Sequence, residues 1–90
     1  MKSYDVLFSN KAKKVLKKMD RQEAIMLMSW IKKNLLETQN PRLHGKALTG
    51  DFSNYWRYRV GSYRLITELV DSKLIIHMIN IGHRKDIYKK

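Results

Sequence analysis

Along residues 55–64, read as Y-W-R-Y-R-V-G-S-Y-R, large apolar and cationic side chains alternate. Trp56, Tyr58 and Val60 fall on one parity, Arg57 and Arg59 on the other. A period of two in aromatic and β-branched company predicts a strand with two unlike faces. Gly61-Ser62 then fits a two-residue hairpin turn, because glycine accepts the positive φ that such turns need. With that turn, Val60 pairs with Tyr63 and Arg59 lies opposite Arg64, so Arg57, Arg59 and Arg64 share one face. Like charges facing each other across strands are unfavourable. Three guanidinium groups gathered at one place imply an anion to receive there; the plainer alternative is a solvated cationic face.

Upstream, Tyr4–Phe8 predicts a short first strand and Ser9 a helix N-cap. Ala12, Val15, Leu16 and Met19 recur at helical spacing, and Lys11, Lys13, Lys14, Lys17 and Lys18 fill the other face, read as solvated. Asp20 opens a second helix, with Glu23 completing a capping box in its Asp variant. Ala24, Leu27, Met28, Ile31 and Leu35 form its apolar stripe, and Met26, Met28 and Trp30 read as packing residues. The two segments predict an antiparallel helical hairpin, stopped at Asn40-Pro41 because the residue before proline avoids the α region. Arg42–Asn54 predicts a loop in which Gly45 and Gly50 turn the chain, Lys46 lies near the basic face and His44 is an ordinary loop histidine. Its Gly-Lys pair lacks P-loop spacing.

Downstream, strands are expected over Tyr63–Val70 and Leu74–Ile81, joined by a turn at Asp71-Ser72. That turn sets Leu65 beside Met78 and Thr67 beside Ile76. Trp56, Tyr58, Leu65, Leu69, Leu74, Ile76 and Met78 then form the face toward the helices. Ile66, Ile75, Ile79 and Ile81 share the arginine face, so something apolar should cover part of it. His77 has the same parity and reads as a half-buried structural residue. Gly82 breaks the last strand before His83, Arg84, Lys85, Asp86, Ile87 and Tyr88. A His-Arg pair followed by an aromatic, at the end of a central strand, can be brought beside a neighbouring strand's arginines; the alternative is a frayed basic tail. The fold class expected is α+β: an N-terminal strand, a helical hairpin, then an antiparallel three-strand meander, forming one twisted sheet packed on two helices.

Ninety residues make a single domain, 1–90, with one small two-layer core. A chain 43% hydrophobic and 30% charged folds as a globule. Without cysteine, disulfides, a thiolate nucleophile and a Cys-based zinc site are excluded. No signal peptide is expected after the first lysine, and no apolar stretch is long enough to span a membrane. A cytoplasmic protein is expected, needing neither metal nor cofactor. The formal charge of +11 points to nucleic acid, an anionic surface or an acidic protein as partner.

The stretches W-R-Y-R-V-G-S-Y-R-L-I and I-G-H-R-K-D-I-Y, in this β-α-α-loop-β-β-β order, resemble the RelE family of toxins in the RelE/ParE superfamily of bacterial type II toxin–antitoxin pairs. The resemblance covers the whole chain; the central motif also occurs loosely across the superfamily, and joined to the C-terminal G-H-R-x-D-x-Y it is fairly specific to the RNA-cleaving branch. It implies an endoribonuclease that enters the ribosomal A site and cuts mRNA without a metal, the 2′-hydroxyl attacking the adjacent phosphate and expelling a 5′-hydroxyl. By the same resemblance, Arg57 and Arg59 occupy the family's paired basic positions, and Arg64 its Tyr-Arg-Leu arginine. Arg84 and Tyr88 fall at its C-terminal arginine and tyrosine, and His83 where other members carry Lys or His. Expected partners are an acidic RelB-like antitoxin, mRNA in the A site and ribosomal RNA; the free toxin is expected to be a monomer.

The residue chemistry suits that reaction. In-line attack builds negative charge on phosphate oxygens, which fixed guanidinium groups stabilise; Arg64 and Arg84 are the choices for that role, with Tyr88 stacking on a splayed base. Some relatives carry lysines at the paired positions, whereas arginine is effectively always protonated. Arg57 and Arg59 are therefore poor bases, leaving His83 or catalysis by charge and positioning alone. Two other readings compete: a ParE-like toxin acting on DNA gyrase, against which the Arg84/Tyr88 tail argues, and a non-enzymatic RNA-binding module. The module would carry stacking aromatics on an exposed sheet face, whereas the aromatics here fall mainly on the core parity.

Overall fold

The computed structural model describes residues 3–48 and 55–83. In chain order come β1 (Asp5–Phe8), α1 (Asn10–Lys18), α2 (Arg21–Asn34), β2 (Lys46–Ala47), β3 (Tyr55–Val60), β4 (Tyr63–Val70), a 3-10 turn (Asp71–Lys73) and β5 (Ile75–His83). The strands form one mixed sheet in the order β1-β5-β4-β3-β2. β1 runs parallel to β5 and the other neighbours are antiparallel. The expected α+β class and element order are therefore met. β2 is an addition: this two-residue strand forms inside the predicted loop and pairs Lys46 with Arg57.

The helix starts follow their sequence signals. The Ser9 hydroxyl accepts from the Ala12 amide at 3.0 Å and caps α1. Met19 and Asp20 then take extended conformations, and the Asp20 carboxylate accepts from the Gln22 amide. The capping partner expected in Glu23 is engaged elsewhere: its carboxylate accepts the Tyr63 hydroxyl from forty residues away. α2 also ends well before Asn40-Pro41. Leu35 and Leu36 both donate to the Ile31 carbonyl, and Glu37 turns the chain at φ +62. That reversal lets Glu37 and Thr38 pair with Tyr4, closing one end of the β1 edge. A bonded edge outweighs another turn of helix.

Leu27, Ile31 and Leu35, spaced by one turn on α2, and Ala12 on α1 are buried. They share one core with Tyr58, Leu65, Leu69, Ile76, Met78 and Ile81 from the sheet, and Trp30, Trp56 and Leu74 pack at its margin. Each fully buried Leu- or Ile-sized side chain contributes roughly 1.5–3 kcal/mol, so this sheet face and the helices hold each other.

The β4–β5 register differs from expectation. The connection takes four residues, Leu74 adopting φ +54 and donating to the Asp71 carbonyl. Thr67 consequently faces Met78, and Leu69 faces Ile76. An irregularity between Ile66 and Thr67 then inserts an extra residue into β5, so that Leu65 faces Ile81. The Ser9 hydroxyl donates to the Ile79 carbonyl at 2.6 Å, satisfying the acceptor left over at that position. One extra residue reverses the parity beyond it. Ile81, expected on the arginine face, is buried in the core.

Candidate anion-binding site

The β3–β4 hairpin is as the sequence predicts. Gly61 takes φ +59 in the turn, Val60 pairs with Tyr63, and Arg59 lies directly opposite Arg64. Lys46 joins this side of the sheet through its pairing with Arg57. Because β2 begins only at Lys46, opposite Arg57, no strand continues along β3 toward Arg59 and the sheet edge opens there. There a notch of about 400 Å³ is lined by Trp30, His44, Gly45, Lys46, Arg57 and Arg59.

The loop that builds the notch is pinned at successive points. The Tyr58 hydroxyl donates to the Pro41 carbonyl at 2.5 Å, and the Trp56 indole donates to the His44 carbonyl at 2.6 Å. Arg42 lies 5.7 Å over the Trp56 ring and binds Asp71 through both guanidinium nitrogens, at 3.1 and 3.0 Å. Tyr4 adds a hydroxyl bond to the same carboxylate at 2.6 Å. The Arg42 and Tyr4 donors hold the Asp71 carboxyl below its ordinary pKa, while the Tyr4 phenol rises through its bond to that carboxylate. Burial raises the Tyr58 phenol, which stays neutral and keeps donating. Gly45 sits at φ +80, and a Cβ there would lie 2.3 Å from the Arg57 carbonyl oxygen. Only glycine lets the loop press against β3 this closely.

Among the described residues, Lys46, Arg57 and Arg59 have no ion-pair partner; the ion pair formed is Arg42 with Asp71, on the neighbouring loop. Three cations share a concave site with an aromatic wall, and no described carboxylate lines it. Such a site favours an anion and orients it by charge-assisted hydrogen bonds. No group of three or more His, Asp or Glu residues suited to a metal occurs among the described residues.

Arg64 sits beside this site but is only 2% exposed. A guanidinium held away from water exerts a stronger field than a solvated one. His83 is placed apart from the arginines. The shift in β5 sets it opposite Tyr63, with the rings edge to face at 5.3 Å, and puts Gly82 opposite Arg64. Its imidazole therefore joins a second concavity of about 450 Å³ between α1 and the sheet, lined also by Lys18, Met19 and Ile81. Arg84 and Tyr88 lie outside the described residues, as does Gly50. His77 is half-buried between Leu7 and Glu68, as expected of a structural residue. His44, expected as a plain loop residue, does lie in the loop, and it also lines the notch. No periodicity marks a loop histidine; its one signal was proximity to Gly45-Lys46.

The sequence profile of the family described as "ParE toxin of type II toxin-antitoxin system, parDE" matches residues 6–88. No curated protein matches the chain significantly. Among solved structures, the chain resembles the Mycobacterium tuberculosis RelBE2 toxin–antitoxin complex at 24% identity, over 93% of this chain and 94% of that one, with a TM-score of 0.80. The isolated Escherichia coli RelE toxin is 22% identical over 90% of this chain and 84% of its own, with a TM-score of 0.74. The Pyrococcus horikoshii RelE–RelB complex gives 22%, 91%, 96% and 0.69 by the same measures. The RelE-like fold predicted from the sequence is thereby established.

Proposed function

The chain belongs to the ParE-toxin family of type II toxin–antitoxin systems, and from that premise we propose that it is a toxin that cuts mRNA on the ribosome. The observation that carries this reading is the notch where Lys46, Arg57 and Arg59 meet with no carboxylate partner among the described residues. A phosphodiester backbone is the ligand such a site suits.

In the proposed reaction the 2′-oxygen of one nucleotide attacks the adjacent phosphorus. The P–O5′ bond breaks, giving a 2′,3′-cyclic phosphate upstream and a 5′-hydroxyl downstream. The proton leaves the 2′-oxygen and one is delivered to the departing 5′-oxygen. Arg57 and Arg59 hold the backbone, Arg64 and Arg84 stabilise the charge on the non-bridging oxygens, and Tyr88 stacks on a base. His83 is the side chain suited to accept the proton. It reaches a phosphate held by the arginines only if the RNA crosses the end of the sheet, since its ring lies on the Tyr63 side. Alignment and charge otherwise carry the step.

The partner proposed is an acidic RelB-like antitoxin. The RelB-bound relatives and the charge of +11 support it. So does the sheet face opposite the helices, where Leu7 is 51% exposed and Ile66, Val70 and Ile75 are only half-buried. No helix among the described residues is long and apolar enough to cross a membrane.

The test is to map both RNA ends after incubating programmed ribosomes with the purified protein. A 5′-hydroxyl downstream, and resistance of a 2′-O-methyl nucleotide at the cut, are expected; a 5′-phosphate product would rule the mechanism out. The ParE name of the family profile supports a second reading: the ParE-like toxin, for which DNA gyrase is the expected target. Intact message together with inhibited supercoiling would establish that one.

A further inference from the structure

The notch has more than cations in it. Trp30 leans on Tyr58 at a centroid separation of 5.8 Å, and His44 stands 5.9 Å from Trp30 at 67°. The two rings make a corner instead of a closed stack, and His44 is exposed. The His44 carbonyl, not its ring, is what Trp56 holds. The imidazole is therefore placed by a pinned backbone and has no described hydrogen bond of its own. A phosphate-only site needs no aromatic wall, and about 400 Å³ exceeds what one phosphate fills.

We propose that this notch is a nucleotide subsite, in which the corner of His44 and Trp30 takes a base while Lys46, Arg57 and Arg59 take its phosphate. The proposal rests on the RNA-directed reading above and specifies which face of that site touches a base. Bases stack on aromatic and histidine side chains, and every base offers a π face, so the subsite accepts single-stranded RNA with little sequence preference. An acidic peptide would match the cations but gain nothing from the corner.

The test titrates the isotope-labelled full chain with adenosine 5′-monophosphate, ribose 5-phosphate and inorganic phosphate, following the His44 ring and Trp30 indole resonances by NMR. Adenosine monophosphate should bind roughly tenfold more tightly than ribose 5-phosphate and shift both aromatic signals. His44→Ala should abolish that ratio while leaving ribose 5-phosphate affinity in place, and His44→Phe should retain it. Equal affinity for the two sugar phosphates, a ratio unchanged in His44→Ala, or displacement of adenosine monophosphate by an acidic peptide of equal charge at equal concentration would each overturn the proposal. The two readings fail separately. Cleavage of ribosome-bound message with no preference for the base-bearing ligand removes the subsite alone. A base preference without cleavage removes the nuclease reading and leaves a nucleotide site.

Discussion

Arg59 and Arg64 face each other directly across β3 and β4, one exposed and the other 2% accessible. Directly opposed like charges cost about 0.2–1 kcal/mol. Arg59→Gln should therefore raise folding stability by about that amount, read from urea unfolding, while weakening RNA binding. The salt dependence of binding should lose about one unit of slope in log–log form, as expected for one lost phosphate contact. A variant that is both less stable and unchanged in RNA affinity would show that the pairing serves the fold.

Gly45 tests how far the notch depends on close packing. Gly45→Ala places a Cβ 2.3 Å from the Arg57 carbonyl and forces alanine to φ +80. The backbone strain alone costs about 1–3 kcal/mol. Either the chain loses that stability or the loop lifts from β3 and separates Lys46 from Arg57. Phosphate affinity should fall in the folded fraction, measured by titration well below the melting temperature. Unchanged affinity and stability would mean that the loop moves without cost.

Asp71 anchors that loop from the other side. Its carboxyl is held below its ordinary pKa, first by Arg42 and then by Tyr4. A depressed carboxylate contributes stability that is fully present above the unfolded pKa, near 4, and is lost as pH falls through the folded value. Stability should thus decline in acid below about pH 4. Asp71→Asn should be less stable at neutral pH and show a shallower acid decline, by urea unfolding across a pH series. At the alkaline end the sign reverses. Burial raises the Tyr58 phenol, so stability is retained below about pH 10 and falls above it; Tyr58→Phe should flatten that limb.

The β3–β4 hairpin was legible because three local signals agree: alternation, a glycine in the turn and aromatic or β-branched composition. The arginine cluster followed from register alone. What sequence could not supply was set by contacts distant in the chain. The Ser9 bond to Ile79 accompanies the shift in β5 and turns Ile81 inward. The pairing of Glu37 and Thr38 with Tyr4 ends α2 early. His44 enters the site because Trp56, twelve residues on, holds its carbonyl. Periodicity is blind to each of these, since none repeats.

The role of His83 is the part of the site that the β5 shift touches most. In an unbroken strand its parity would be that of Gly82's present position, beside Arg64; with one residue inserted its ring meets Tyr63, whose hydroxyl is held by Glu23 of α2. A base that takes the 2′-proton must come within about 3 Å of that oxygen or act through one water. From the Tyr63 side this requires the RNA to cross the end of β5. If it does, His83→Ala should slow single-turnover cleavage by about a hundredfold or more and flatten the acid limb of the pH–rate profile, while Tyr63→Phe, which frees Glu23 but keeps the ring against His83, should change the rate far less. If the RNA stays at the notch, His83→Ala should cut within a few-fold of the parent with an unchanged profile, and Arg59→Gln should be the slower variant. The structure favours the second outcome, because Arg57, Arg59 and Arg64 lie on the sheet face opposite that of His83. A flattened acid limb in His83→Ala would refute it.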